Sequence, residues 1–560
     1  MTRKILCLAL ALCMALGLLA GCSGSGSTTT TASTTAAGSD GTTTAAVTAP
    51  TTAAATGNPV FNETGYPIMS EMIEITGFFS DSPELFGEDI DETAIWKKLR
   101  EATNIHINWN IVENDATVIN LYFAAGELDD FFACSLTPDK VQTYGVEGGA
   151  FVDISESLYT YMPNMVSRFE EWPMMEKMIR EIDGSVYTIP QVRLGSTAAA
   201  GQLYYRTDLL DSIGVEEPTT TTEFYDALTA CKDADVTGGY APLLPYSAGQ
   251  LNSNVEWFLF AALGESTDPD FADDGSGKVV YNKMSDQYYR YLEYVSRLYE
   301  EGLLEKEIYS LDTATVLARY KSSQAVFMTS PSNIQPEDCL PNDGKVYLDM
   351  MYPLTSDYNS ERHVTSYRYL SNNAGGISVK AEYPEAIMRM LDIAYADTEV
   401  IPGSGLIDLA WNSGFEGEQY TVDPVTNTYA FIVPEDWDQS TWTYVRQTGG
   451  WNIKFGVYDF PYLNSAPNNY AREVAMTTKN IPFAVDYFPE TLLKYTADEQ
   501  TEKTNKLTDI TNYVDQMRAK FITGVEPLDH WDSYLAEIER MGVGDVLEIM
   551  QTAYDRWNEA

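Results

Sequence analysis

The sequence is poor in several features that usually announce chemistry. Its 560 residues include only three histidines, His106, His363 and His530. They lie too far apart in sequence to suggest a His-based metal site. Six cysteines sound like a disulfide framework, but Cys7, Cys13 and Cys22 fall in or just after an apolar leader. The remaining Cys134, Cys231 and Cys339 are widely spaced and odd in number, so they allow one bridge at most and equally allow three buried free thiols. Positive charge is scarce too: 35 Lys and Arg against 82 Asp and Glu give a formal net charge of −47. That balance argues against nucleic acid and against adsorption to anionic lipid, and suits a soluble extracellular surface. We read it as a solubility feature rather than as a cation site. Long apolar runs are absent beyond Ile5–Leu19, a stretch of roughly 15 residues that is short for a membrane span. The chain also lacks a G-x-S-x-G elbow, an H-E-x-x-H pair and a P-loop.

What is present begins with a secretory leader. Arg3 and Lys4 precede the apolar run, and Leu19-Ala20-Gly21-Cys22 closes it. These four residues resemble the bacterial lipobox, which implies cleavage before Cys22 and acylation of its thiol. Residues 23–60 are rich in Thr, Ala, Ser and Gly and hold one charge, Asp40. With too little apolar surface to offset chain entropy, they are expected to form a tether. Its r.m.s. reach as a coil is roughly 35 Å.

About 500 residues remain, too many for one core, so two lobes are expected. IEITGFF (73–79) reads as a strand, residues 92–102 as a helix with Ile95, Trp96 and Leu99 on one face, and IHINWNIV as an alternating strand. Residues 116–125 are helical, with Gly126 as the stop, and DFFAC follows as a third strand. Strand-helix-strand-helix-strand points to an α/β lobe with a parallel sheet. Further on, Thr220 with Glu223 fits a capping box, and Phe224, Leu228 and Cys231 line one helical face. Residues 286–301 form a long amphipathic helix with Tyr288, Leu292, Val295 and Tyr299 inward, and Gly302 after it. WDSYLAEIERMG puts Trp531, Tyr534, Leu535 and Ile538 on one stripe.

Six segments, taken in order, resemble the family 1 extracellular solute-binding proteins, the receptors of carbohydrate ABC importers, and within them the long lipoprotein branch of Firmicutes. They are AAGELDDFFACS (124–135), DGSVYTIP (183–190), LYYRTDLLDSIGVEEPTTTTEFYDAL (203–228), YVSRLYEEGLLEKE (294–307), NSGFEGEQYTVD (412–423) and the stretch FITGVEPLDHW to TAYDR (521–556). The resemblance implies an α/β, two-lobed periplasmic-binding-protein-like clamp of type 2, with a ligand cleft between the lobes. The expected division is 61–195 with 365–455 for the first lobe, and 196–364 with 456–560 for the second. It implies a carbohydrate ligand, permease subunits with a cytoplasmic ATPase behind them, and no cofactor. It further implies a monomer held at the outer face of the cytoplasmic membrane by its lipid alone. Some relatives carry a calcium loop; here DDGSGKVVYN (273–282) is acidic and turn-like but lacks the ligand spacing and terminal Glu of an EF-hand, so no metal is expected.

A sugar site needs flat aromatic faces and planar polar groups at the rim of a cleft. The candidates are aromatics and arginines in irregular segments: Trp257 after SAGQLNSNVE, Trp411 before NSGFEG, and Trp451 after RQTGG. Tyr204, Tyr205 and Arg206 lie in the YYR step before a helix; Arg193 follows DGSVYTIP; Tyr367 and Arg368 lie in SYRYLSNN. For each, core packing is the alternative, and Arg206 could equally pair with a carboxylate at a helix start. If Arg193 and Arg368 face the cleft, an acidic sugar becomes a candidate. Two rival classes use the same residues. A sensing or adhesion lipoprotein would employ the clamp without import. A glycoside hydrolase would need two carboxylates roughly 5–10 Å apart across the cleft, and nothing in the sequence singles out such a pair.

Overall fold

The computed structural model divides by contacts into Met1–Gly57 and Asn58–Ala560. It describes residues 58–559 except 81–89, 135, 195–200, 330–333, 335–337, 340–342, 367–368, 407–413, 424–427, 438–443, 445–446, 450–454, 460–475 and 487. Cys22, its lipobox and the tether lie outside the described residues.

Within Asn58–Ala560 the first lobe is built on a six-stranded sheet. Ile73–Ser80 pairs in parallel with Ile105–Val112 on one side and Phe131–Ala133 on the other. The alternation read in IHINWNIV holds at its start, where Ile105 and Ile107 are buried; Trp109 and Ile111 are only half-buried. Helix Ala94–Thr103 buries Ile95, Trp96 and Leu99 as the spacing predicts. Helix Ala116–Ala125 starts on Asp115, whose carboxylate accepts from the N–H of Thr117 (2.7 Å) and Val118 (3.2 Å). Gly126 ends it at φ 68°, the left-handed position that glycine fills without strain.

Three later strands complete this sheet, and they carry the crossovers. Tyr369–Ile377 runs antiparallel to both Phe131–Ala133 and Ile189–Leu194, and Gly456–Asp459 runs parallel to Ile189–Leu194. Gly376 allows the close approach here: a Cβ on it would lie 2.5 Å from the Phe132 ring and 2.7 Å from the Tyr187 carbonyl. The expected return to the second lobe at 456 therefore comes too early, because Gly456–Asp459 is still hydrogen-bonded into the first sheet.

The second lobe holds a four-stranded sheet of two- and three-residue strands. Leu243–Leu244 and Phe327–Met328 are parallel; Tyr204–Arg206 is antiparallel to Phe327–Met328 and to Leu348–Met350. Helices supply most of the core. Phe224, Leu228 and Cys231 of Thr221–Asp233 pack with Tyr288, Leu292 and Val295 of Asp286–Glu300. Phe521, Tyr534, Ile538 and Met550 from the C-terminal helices join the same cluster. Val364–Ser366 pairs in parallel with Ala484–Asp486, and Val364 and Ala484 belong to a smaller cluster with Tyr204, Leu244 and Met328. Cys134, Cys231 and Cys339 are all buried. Among the described residues no helix is long and apolar enough to cross a membrane.

Candidate functional site

Topology locates the site. In the first sheet the parallel strands end at Ser80, Val112 and Ala133, on the same edge as Leu194 and Asp459. The chain leaves the sheet from Leu194 and reaches the second sheet at Tyr204. It returns from the Val364–Ser366 strand to Tyr369, at that same edge. Tyr204 is the amino end of a strand antiparallel to Phe327–Met328, so it lies beside the carboxyl ends of Leu243–Leu244 and Phe327–Met328. Both sheets thus turn their carboxyl ends toward the crossovers, which is where open α/β sheets bind ligands.

The second lobe furnishes this edge with amides and hydroxyls. After Leu244 the chain turns at Tyr246, whose N–H donates to Thr329 Oγ1 (3.0 Å). Ser247 then caps a helix by accepting from the Gln250 N–H (3.2 Å). That helix continues from Ala248 to Ala262 through a wide π-type turn at Leu251–Val255. Asn254 donates to Gln250 Oε1 (2.5 Å) and accepts from the Gln202 N–H (3.2 Å). Tyr204 donates its hydroxyl to Gln202 Oε1 (2.6 Å). Gly201, at φ 74°, packs directly on the Trp257–Phe258 backbone, where a Cβ would come within 2.7 Å of the Phe258 nitrogen. Gln202, Tyr246, Gln250, Asn254 and Trp257 are all half-exposed, within reach of a ligand.

In the first lobe the helical stretch 138–147 follows the carboxyl end of Phe131–Ala133. Its Asp139, Gln142, Thr143 and Glu147 face Gln500, Thr501, Thr504 and Asn505 of the second lobe's helix Ala497–Thr523 across a groove of about 470 Å³. The lining offers donors and acceptors with no large apolar surface, a composition suited to hydroxyl groups. A second interlobe cavity, about 580 Å³, lies where Pro173–Gly184 meets the end of the C-terminal helix. There Lys494 bonds Glu181 at 2.7 Å with both side chains nearly buried, and Lys177 donates to the Trp557 carbonyl at 3.3 Å. Trp557 packs against the cores of both lobes.

The structure treats the sequence candidates unevenly. Trp257 sits half-buried on the first turn of Glu256–Ala262, at the crossover edge. Arg193 is placed by register opposite Tyr369 and Tyr458, near the carboxyl edge of the first sheet. Tyr204 is 2% exposed. Tyr205 and Arg206 are corrected to core positions. Tyr205 donates to Glu217 Oε2 (3.1 Å), and burial with the Glu217 charge raises its phenol above the usual range. Arg206, 0% exposed, grips Asp208 with two bonds of 2.8 and 2.5 Å. Alternation would have put Tyr205 on the opposite face from its neighbours, but both faces of this short strand are covered. Trp411, Trp451, Tyr367 and Arg368 lie outside the described residues.

Sequence reasoning misses Gln202, Tyr246, Gln250 and Asn254, although the SAGQLNSN run that points to Trp257 holds two of them. It also misses the charges behind Trp257. Glu256 is fully buried and meets Lys283 and Arg518, the latter at 2.9 Å. Burial works to lower the Lys283 ammonium, but the Asp270 and Glu256 carboxylates beside it hold it above its usual value. Arg518 is raised in the same way. The acidic turn 273–277 is a hairpin tip: Asp273 accepts from the N–H of Gly275 and Gly277, and Asp274 from Ser276 and Lys278. Among the described residues no group of three or more His, Cys, Asp or Glu could hold a metal ion.

Comparison with known proteins fits this geometry. Residues 80–307 match the family of bacterial extracellular solute-binding proteins. That is the family which the ordered segments of this sequence resemble. A curated relative is the fructooligosaccharide ABC transporter substrate-binding protein FusA of Streptococcus pneumoniae, 23% identical over 506 residues, covering 86% of this chain and 90% of FusA. Lipoprotein LipO of Bacillus subtilis is 26% identical over 235 residues, 40% of this chain and 44% of LipO. Among solved structures, FusA with kestose superposes at a TM-score of 0.67 and 21% identity, covering 87% of this chain and all of that one. An HMO-binding solute-binding protein from Bifidobacterium longum infantis gives 0.67 and 17%, with 87% and 99% covered. These structural likenesses establish the shared two-lobed α/β fold.

Proposed function

We propose that the protein is the substrate-binding lipoprotein of an ABC importer and captures a carbohydrate longer than a single sugar ring between its lobes. The observation that carries this reading is the convergence of both sheets' carboxyl edges on the crossovers, with half-exposed amides, hydroxyls and Trp257 gathered there. Amides and carboxylates pair with ligand hydroxyls, and an indole face covers the C–H surface of a ring. FusA, by its name a fructooligosaccharide receptor, supports an oligosaccharide over a monosaccharide. The protein binds without chemistry: its relatives are transporter binding proteins, not enzymes. Trp411, Trp451, Arg193, Tyr367 and Arg368 remain proposed contacts beside Trp257. Cys22 is the proposed lipid attachment, anchoring a monomer at the outer face of the cytoplasmic membrane, where the permease reads the ligand-closed form.

Thermal unfolding of the purified chain against kestose, maltotriose, xylotriose and an alginate trisaccharide tests the reading. Ligand at 100 times its Kd stabilises by about 2.7 kcal/mol, an easily visible shift. One sugar class should raise the midpoint and be recovered intact by mass spectrometry. A flat panel, or a cleaved sugar, would count against the proposal. Replacement Cys22→Ser should release the protein from membranes into the medium.

A further inference from the structure

We propose that Glu256 is a positioning residue of the ligand site: its buried carboxylate ties the helix bearing Trp257 to the long helix that lines the interlobe groove. This inference rests on the carbohydrate-cleft reading above. Glu256 opens the helix Glu256–Ala262, and Trp257 is the next residue. One carboxylate oxygen meets Lys283 from the short turn Asn282–Met284; the other accepts from Arg518 of Ala497–Thr523 at 2.9 Å. The chain of charges continues outward, from Lys283 to Asp270 at 3.3 Å and from Arg518 to Asp515 at 2.6 Å. Five charged groups on four segments are thereby joined through one fully buried carboxylate.

Stability alone gives no reason for that choice. Buried ion pairs replaced by apolar groups of similar volume often leave a protein equally or more stable. What the carboxylate supplies is direction, since its two oxygens are committed to cations on different elements and fix the first turn of the Trp257 helix between them. Arg518 lies 13 residues beyond Asn505 on one helix, about 20 Å along its axis. Fixing Arg518 therefore sets the axis along which Gln500, Thr501, Thr504 and Asn505 face the groove. Nearby polar groups do not duplicate the tie: the hydroxyls of Tyr288 and Tyr291 and the Arg518 Nε are buried without a hydrogen-bond partner.

The test uses Glu256→Gln, which keeps shape and removes charge, with Glu256→Asp and Trp257→Ala beside it. Calorimetry with whichever sugar of the four-member panel shifts the wild type most should show Kd rising tenfold or more in Glu256→Gln and in Trp257→Ala, with little further loss in the double variant. Partial recovery is expected in Glu256→Asp. A folded Glu256→Gln with lowered midpoint and wild-type Kd would reduce the residue to a structural role and overturn the proposal. Hydrogen exchange supplies a reading that needs no ligand: amides in 248–262 and in 515–523 should speed up together in Glu256→Gln. Acceleration confined to one helix would overturn the tie. If the wild type binds none of the four sugars, the cleft reading has failed, and the exchange result still decides the joint. Should Glu256→Gln not fold, Lys283→Met takes its place in both measurements.

Discussion

The two lobes hold their layers by different means. The first relies on long backbone ladders: strands Ile73–Ser80 and Ile105–Val112 pair over eight residues, and Tyr369–Ile377 spans nine. Buried Asp91 pairs with Arg100 of the following helix, but two of the lobe's other buried charges serve the main chain. Asp392 accepts from the N–H of Asn164 (3.1 Å) and Met165 (2.8 Å) at a helix start, and Arg168 donates to the Tyr395 carbonyl (2.8 Å). The second lobe has strands of two or three residues, too short to hold a sheet by themselves, and leans on helices. Its buried charges join side chains on separate elements, with Glu256 at the centre. One lobe is thus fixed by pairing and the other by ties between helices. The tied lobe is also the one that presents Trp257 and the amide-rich edge.

That contrast can be broken most severely at its centre. Glu256→Ala leaves the buried Lys283 and Arg518 with only the more exposed Asp270 and Asp515 as counter-charges, and removing one partner of a buried ion pair costs about 3–5 kcal/mol. Urea denaturation should show a loss of that size. Asp392→Ala orphans neutral donors, the Asn164 and Met165 N–H groups and the Asn164 side-chain amide, and about 2 kcal/mol is expected by the same measurement.

The pH response sharpens the same comparison. Burial pushes the Asp392 carboxyl up to about 7, against the hydrogen bonds that favour its charged form. Its value unfolded is about 3.9, so folding favours the protonated carboxyl. The contribution is complete below about pH 4 and is lost as pH rises through about 7. Between about pH 4 and 7 the thermal midpoint should fall with rising pH, and Asp392→Asn should flatten that slope. A slope unchanged in the variant would assign the effect to another group.

The smallest effect lies at a helix end. Thr496 and Glu499 form a capping box on Ala497–Thr523, with the Glu499 N–H donating to Thr496 Oγ1 (3.3 Å) and the Thr496 N–H to Glu499 (2.8 Å). Thr496→Ala should cost about 1 kcal/mol in urea denaturation. A ligand-affinity change without that loss would show the groove end of the helix to be set by the cap rather than by Glu256.

Legibility in the sequence followed the same divide. The strand-helix order from Ile73 to Ala133 was readable because alternation, the apolar helical stripe and the Gly126 stop all agree there. The inward stripe of Asp286–Glu300 was readable too, down to buried Tyr288, Leu292 and Val295. At Thr220 the cap was half right: its hydroxyl accepts from the Glu223 N–H, but the Glu223 carboxylate takes the N–H and hydroxyl of Thr219. The second sheet left little trace, since two-residue strands have no period to detect. Tyr205 and Arg206 were misplaced for that reason, as burial on both faces comes from elements distant in sequence. Glu256 could not have been found, because its partners lie 27 and 262 residues away.

Calorimetric titration of the purified chain with the four panel sugars, with mass analysis of each sugar afterwards, tests the central claim most directly. The account predicts saturable one-to-one binding of one sugar class, recovered intact, and loss of that binding in Trp257→Ala. Absence of binding to every panel sugar, or cleavage of the sugar that binds, would contradict it.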